Sequence, residues 1–195
     1  LLAAYDGPFP AGSVFLCVVD PGVGGVRTPV ILLADGCYYV GPNNGLFSQV
    51  IRQATHVTTW EITSVPEKIS ATFHGRDIFA PVAAHLANGN KPDGNLVEPG
   101  TLDRKSWRSD PAEIIYVDGY GNLMTGQRAS KSIKTNDLEW KGITIKAART
   151  FSDVRPGDAI YYENSNGLME IAVRDGSAAK LFDAVIGDLC PDFIE

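Results

Sequence analysis

The stretch VFLCVVDPGVGGVRTPVILLADGCYYV, residues 14–40, decides the fold of the first half of the chain. Its three apolar runs, residues 14–19, 30–34 and 37–40, are bounded by Gly, Pro and Asp, which is typical of buried β-strands. The tripeptide ADG at residues 34–36 predicts a hairpin turn between the last two runs. We therefore expect these residues to form three strands of one sheet.

A glycine-rich turn, DPGVGGVR, joins the first two of these runs, with Asp20 and Arg27 at its ends. Asp-Pro-Gly is ordinary turn chemistry, because Pro fixes φ and Gly tolerates positive φ. A glycine loop after a strand can also hold a phosphate, but such loops lead into a helix. Here a strand follows and neither phosphate-loop motif is present, so the pattern favours a plain turn over a phosphate site.

Two helices are predicted outside this stretch. Residues 41–54, GPNNGLFSQVIRQA, place apolar side chains at helical spacing. Residues 73–89, FHGRDIFAPVAAHLANG, are interpreted as a loop leading into a helix that stops at Asn88-Gly89. Residues 89–111 are rich in Gly, Pro, Asp and Asn and are expected to be a connection.

The pattern changes from Ala112 onward, where short strand-like runs alternate with glycine turns. Helical periodicity is nearly absent from this part. We expect an α/β domain over residues 1–108, followed by a small antiparallel β-barrel domain over residues 109–195.

Composition excludes several classes of protein. The net charge of −6 is unsuited to a nucleic-acid partner, which needs a basic face. No apolar run is long enough to span a membrane. The three cysteines, Cys17, Cys37 and Cys190, are odd in number and form no C-x-x-C pair, so a zinc site is not expected. They favour a reducing, cytoplasmic setting.

Five stretches in series carry a resemblance to a known family. They are VVDPGVGGVR at 18–27, GPNNGLF at 41–47, TFHGRDIFAP at 72–81, VDGYGNLMT at 117–125 and NSNGLMEIAV at 164–173. In this order the chain resembles the S-adenosyl-L-methionine (SAM) hydroxide adenosyltransferases, the SAM hydrolases related to fluorinase and chlorinase. The resemblance covers nearly the whole chain.

The resemblance implies a fold and a catalytic set. The fold is an α/β domain with a Rossmann-like sheet, followed by a β-barrel domain. Family members are trimers that bind SAM where neighbouring subunits meet, so the expected partners are SAM and two further copies of this chain. The Asp-Arg-His set of the hydrolases falls on Asp20, Arg27 and His74. Between Asp20 and His74, the choice of base stays open, and no metal or cofactor is implied because SAM is the substrate.

In the second domain the resemblance places four residues at the substrate. Asp118 and Asn122 fall at the methionine end of SAM, and Ser165 and Asn166 at its adenine or its methionine carboxylate. The local pattern has a simpler interpretation, in which Asp118 and Asn122 serve the backbone of a glycine turn. Glu170 is expected to point out of its strand and is given no role.

Two further expectations come from the same comparison of motifs. The family normally begins with a segment that ends a strand in a TDFG-like sequence and binds the ribose hydroxyls. No such segment is found in this sequence, so the first sheet is expected to be incomplete. Hydrolysis of SAM is the expected reaction; the alternatives are SAM-dependent halogenation and SAM or nucleoside binding without turnover.

Overall fold

The computed structural model describes residues 1–5, 9–129 and 133–194. The chain divides into two compact units, Leu2–Trp107 and Arg108–Glu195, with Leu1 assigned to the second. Each unit has a sheet of its own.

The first unit is built on a five-stranded sheet in the order β1-β3-β2-β4-β5. Its strands are β1 (Val14–Leu16), β2 (Pro29–Ala34), β3 (Cys37–Pro42), β4 (Val57–Glu61) and β5 (Asn95–Val97). The hairpin predicted at residues 34–36 is confirmed, because Ala34 pairs with Cys37. Asp35 and Gly36 both have positive φ, as a two-residue hairpin turn of this twist requires.

Both faces of this sheet are covered, because β2 alternates its side chains between two apolar clusters. Val30 and Leu32 pack in the cluster that includes Phe47 and Val50. Ile31, between them in sequence, packs with Phe79 and its neighbours on the other side. Because successive side chains of a strand point to opposite faces, β2 packs against helices on both sides of the sheet.

The helices of this unit are α1 (Leu2–Tyr5), α2 (Ser48–Gln53) and α3 (Ala80–Ala87). The helix predicted within 41–54 and the stop at Asn88 are confirmed. The structure differs before α3, where a π-helical turn, Gly75–Phe79, replaces the expected loop and runs directly into the helix. The connection at 89–111 also differs, since it contains β5 and a short 3₁₀ turn, Pro99–Thr101.

The second unit is a six-stranded sheet in the order β6-β7-β11-β10-β9-β8. The strands are β6 (Ile114–Val117), β7 (Leu123–Arg128), β8 (Leu138–Trp140), β9 (Ile143–Ala147), β10 (Ala159–Glu163) and β11 (Leu168–Val173). A short helix, α4 (Ala178–Leu181), and a 3₁₀ turn, Phe151–Asp153, complete the unit. Its core contains Leu123, Tyr161 and Ile171, all essentially inaccessible to solvent.

Two sheet-rich units are present, as the expected fold class requires, and the pairings show that the sheet of each unit is mixed. A Rossmann-like sheet is parallel, but of the described pairs only β1–β3 is parallel, because the tight hairpin makes β2 and β3 antiparallel. In the second unit β9 and β10 are parallel, so this sheet is mixed as well. Its described pairings leave β6 and β8 as outer strands and do not close a barrel.

The three cysteines are free thiols, and Cys17 and Cys37 are buried. Burial raises the pKa of Cys17 and of Cys190 to about 12 in each case. Within the residues that the structure describes, no helix has the length and apolar character needed to cross a membrane.

Candidate active site

The glycine turn and the segment before α3 bring Asp20, Arg27 and His74 into direct contact in the first unit. Arg27 donates through Nε to Asp20 Oδ1 at 3.0 Å, and its Nη2 donates to Asp20 Oδ2. The same Nη2 lies 2.8 Å from His74 Nδ1. All three residues that the resemblance placed in the catalytic set are therefore joined through one guanidinium.

This set is largely withdrawn from solvent. The side chains of Arg27 and Asp20 are 9% and 5% exposed, and His74 is buried. The Arg27 guanidinium also lies over the ring of Phe79, with 5.3 Å between Cζ and the ring centroid. A bidentate pair in such surroundings has fixed geometry, because a guanidinium fork matches a carboxylate.

The contact between Arg27 and His74 determines the tautomer of the imidazole. A guanidinium nitrogen can only donate, so His74 Nδ1 must be the acceptor. The ring proton in this arrangement is therefore on Nε2. His74 thus offers a hydrogen-bond donor at Nε2, while its Nδ1 accepts from Arg27.

The two loops meet through main-chain atoms at Gly24. This residue has a φ of +77°, and a Cβ built on it would lie 2.6 Å from the carbonyl oxygen of Ala71. A second close approach lies beside His74, where a Cβ on Gly75 would lie 2.7 Å from Val18 Cγ1. The absence of side chains at Gly24 and Gly75 lets the loop with Asp20 and Arg27 approach the loop with His74.

The turn GPNNGLF holds both ends of the glycine loop, a role that sequence reasoning missed. Asn44 donates from Nδ2 to the carbonyl of Val19, the residue before Asp20, at 2.8 Å. The backbone N–H of Asn43 donates to the carbonyl of Thr28, the residue after Arg27, at 2.9 Å. The asparagine pair and its quoted motif were visible in the sequence, but their partners were not.

Replacing Asn44 with alanine is expected to lower the turnover number for the reaction at this site about fivefold, with KM changed less than twofold. The reason is that one hydrogen bond of about 1 kcal/mol holds the peptide group next to Asp20. Steady-state kinetics would measure both constants. Asn43→Ala is the matched control, because Asn43 acts through its backbone; equal losses in both variants would contradict the interpretation.

Asp77 has a structural role next to this site. Its carboxylate accepts from Arg76 Nε at 2.6 Å and from the backbone N–H of Ser70 at 2.7 Å. These donors lower the pKa of Asp77 to about 2, so the carboxylate stays ionised and continues to accept both hydrogen bonds. Among the described residues no group of three or more metal-ligating side chains is found.

In the second unit Asp118 and Asn122 form a tight turn. Asp118 Oδ1 accepts from the backbone N–H groups of Tyr120 and Asn122, at 2.9 and 2.8 Å. Asp118 Oδ2 accepts from Asn122 Nδ2 at 2.9 Å. The local interpretation of these residues, a turn served by its own side chains, is therefore confirmed, while their contact with a substrate stays a prediction.

Ser165 and Asn166 lie in a second turn, between β10 and β11. The side chain of Asn164 shapes it, because Oδ1 accepts from the N–H groups of Asn166 and Leu168 at 2.9 and 3.1 Å. Asp118, Ser165 and Asn166 all line one cavity of about 480 Å³. Three of the four residues assigned to substrate binding in this unit are thereby brought to one cavity; Asn122 is tied to it through Asp118.

The expectation for Glu170 was wrong. Its side chain does not point into solvent: the residue is only 8% exposed and lines the same cavity. It accepts hydrogen bonds from the hydroxyl of Tyr162 and from Asn164 Nδ2. The cause is the position of β11 between β7 and β10, where all six residues of the strand are buried.

Comparisons with known proteins agree with the motifs. Models of the SAM hydroxide adenosyltransferase N-terminal and C-terminal domains match residues 1–95 and 112–190. The chain is 37% identical to an (R)-S-adenosyl-L-methionine hydrolase of Salinispora tropica, over 93% of this chain and 75% of that protein. A fluorinase of an Actinoplanes species is more distant, at 26% identity over 84% of this chain and 71% of the fluorinase. A crystal structure of an uncharacterised protein from Thermotoga maritima aligns with a TM-score of 0.84 at 30% identity, covering 96% of this chain and 79% of that one.

Proposed function

This chain belongs to the SAM hydroxide adenosyltransferase family, and we propose that it is an enzyme that hydrolyses SAM to adenosine and L-methionine. The observation that carries the proposal is the buried contact of Asp20, Arg27 and His74. This contact supports a site that positions one water molecule for attack on a carbon atom of the substrate.

The main contribution that this reaction requires from the protein is to position the water and SAM. The water oxygen attacks C5′ of the ribose, in line with the bond to sulfur. That bond breaks with its electron pair going to sulfur, so the sulfonium becomes a neutral thioether and no general acid or metal is required. The water gives up one proton. Orientation and exclusion of bulk water supply most of the acceleration in such a step.

Each residue of the set has a separate role. Asp20 orients the water and accepts its proton, since it is the one member with acceptor oxygens to spare. Arg27 fixes that carboxylate and stabilises the hydroxide-like oxygen as it forms. His74, with its proton on Nε2, donates a hydrogen bond and does not act as the base. The geometry thus favours Asp20 over His74 for proton removal.

The proposal extends to the rest of the expected site. Asp118 and Asn122 bind the methionine end of SAM, and Ser165 and Asn166 bind its adenine or carboxylate. The protein acts in the cytoplasm as a homotrimer, with SAM bound where neighbouring subunits meet. No cofactor takes part. The cavity at Asp118, Ser165 and Asn166 supports the binding role.

Asp20 also argues against the halogenase alternative. A halide must be partly desolvated to react, and a buried carboxylate at contact distance would repel it strongly. Arg27 does not remove this difficulty, because it is already paired with Asp20 in a bidentate contact. The greater distance of the fluorinase relative agrees with hydrolysis.

The deciding experiment is incubation of the full-length protein with SAM in chloride-free and chloride-containing buffer, followed by chromatography of the products. Adenosine and methionine in both buffers, unchanged by a chelator, are the expected result. A 5′-chloronucleoside formed only with chloride would assign a halogenase. Tight binding of SAM without product would leave a binding protein and overturn the enzyme.

A further inference from the structure

Phe79 is a core residue of the first unit whose ring lies against the guanidinium of Arg27. The residue has no exposed surface and packs with Ile31 of β2 and Val40 of β3. Arg27 Cζ lies 5.3 Å from the centre of the ring, within the reach of about 6 Å over which a cation and an aromatic face attract each other. This attraction is stronger where water is excluded, as it is here.

The π-helical turn places His74 and Phe79 on the same side of their segment. On an α-helix, with 3.6 residues per turn, residues five apart lie about 140° apart around the axis. A π-turn joins residues five apart, as the bond from Ala80 N–H to the carbonyl of Gly75 does, and brings such residues onto one face. His74 Nδ1 and the ring of Phe79 accordingly reach the same guanidinium.

The glycine turn does not fix this guanidinium by itself. Arg27 ends a turn that contains three glycines, and Val26 before it is fully exposed. Asp20 lies at the other end of the same turn, so the ion pair does not tie the turn to the core. His74 and Phe79 belong to a different segment, which is packed against the sheet. These two side chains therefore anchor the guanidinium to the core.

The plane of the guanidinium determines where its remaining N–H groups point. Nε and Nη2 donate to Asp20, and Nη2 also contacts His74. Within the part of the chain that the structure describes, no hydrogen bond to Nη1 is found. The two N–H groups of Nη1 are thus left to stabilise a hydroxide-like oxygen, and rotation of the plane would misdirect them.

We infer that Phe79 is a positioning residue for hydrolysis, whose ring face holds Arg27 in the plane that joins Asp20 to His74. The inference rests on the proposed function, because Arg27 stabilises the attacking oxygen there. It adds to the Asp-Arg-His set a residue that acts only through Arg27. The alternative, which the test has to exclude, is that Phe79 is one more side chain of the core.

Phe79→Leu keeps a buried apolar side chain and removes the ring face. The variant is expected to lower kcat for SAM hydrolysis about fivefold and to leave KM within twofold, because a cation–π contact in a site withdrawn from water is lost. Leu86→Ala is the matched control, since Leu86 is buried in the same apolar cluster. Its melting temperature should fall at least as far, with kcat within twofold of wild type.

The second readout is the nitrogen-15 spectrum of the imidazole rings, which reports the contact itself. The chain has three histidines, and His56 and His85 are exposed, so they serve as internal references. At about pH 8 wild-type His74 is expected to show a protonated Nε2 and an unprotonated Nδ1, as acceptance from the guanidinium requires. In Phe79→Leu both signals should shift toward those of the references, and in Leu86→Ala they should not.

Pentafluorophenylalanine at position 79 separates the charge of the ring face from the bulk of the ring. Fluorination reverses the quadrupole, so the face repels a cation while the side chain stays aromatic and buried. This replacement is expected to lower kcat as far as Phe79→Leu does. It also keeps the test decisive if Phe79→Leu does not fold, which the melting temperature of each variant shows.

Three results would overturn the inference: wild-type kcat with either replacement at position 79, an unchanged His74 spectrum, or an equal loss of kcat in Leu86→Ala. If wild-type protein hydrolyses SAM, each of them leaves the proposed function standing. If wild-type protein does not hydrolyse SAM, the proposed function fails, and the role of Phe79 in turnover fails with it.

Discussion

Asp20→Asn is expected to lower kcat for SAM hydrolysis by about 10²–10⁴-fold, the usual contribution of a positioned base. Asparagine keeps the shape of the side chain but cannot accept the proton of the attacking water. Its NH₂ group would also face Arg27 Nη2, so one of the two contacts with the guanidinium becomes repulsive. Single-turnover measurement of adenosine release at saturating SAM would determine the loss.

The same change is expected to lower the free energy of unfolding, by up to about 3–5 kcal/mol, because Arg27 would be left buried without its counter-ion. Assays are therefore made well below the melting temperature of the variant. Asp103→Asn is the control, since Asp103 forms a partly buried pair with Arg52 outside the catalytic set. A folded Asp20→Asn protein with more than half of wild-type kcat would remove Asp20 from the mechanism.

Gly24→Ala is expected to reduce kcat at least tenfold and to destabilise the first unit. A side chain at a φ of +77° costs about 1–2 kcal/mol, and the new Cβ would lie 2.6 Å from the carbonyl oxygen of Ala71. Backbone cannot rotate away as a flexible side chain can, so the two loops must separate. Arg27 would then lose its contact with His74.

Gly89→Ala separates the two causes. Gly89 has nearly the same φ, +79°, but a Cβ there meets nothing within 4 Å. This control should show only the conformational cost, a fall of a few degrees in melting temperature with kcat unchanged. If Gly24→Ala and Gly89→Ala behave alike, close approach of the two loops does not set the geometry of the site.

Local patterns were enough to predict the parts of the fold that depend on neighbours in sequence. The ADG hairpin and the stop at Asn88 follow from turn and cap chemistry over a few residues. The parallel pairing of β9 with β10 could not be predicted this way, because it depends on how residues 148–158 cross the sheet. The π-helical turn before α3 could not be predicted from the local sequence either, because its first residue, Gly75, is typical of a loop.

The residues of the candidate site also differ in whether their contacts could be predicted from neighbours in the sequence. Asp20 and Arg27 are seven residues apart, at the ends of one turn, so their pairing was within reach of the sequence. His74 lies 47 positions from Arg27, and only the family resemblance connected them. Glu170 was misassigned because alternation assumes one solvated face, and β11 has none.

The chemistry of the thiols has a practical consequence for studying this protein. Cys17 and Cys190 stay protonated at neutral pH because their pKa values are near 12, and Cys37 is buried. Maleimide reagents attack thiolates, so all three native cysteines should label slowly. Val26, next to Arg27 in the glycine turn, is fully exposed at 104%. A cysteine introduced there would accept a fluorophore selectively and report on movement of the turn as ligand enters, in an otherwise unmodified protein.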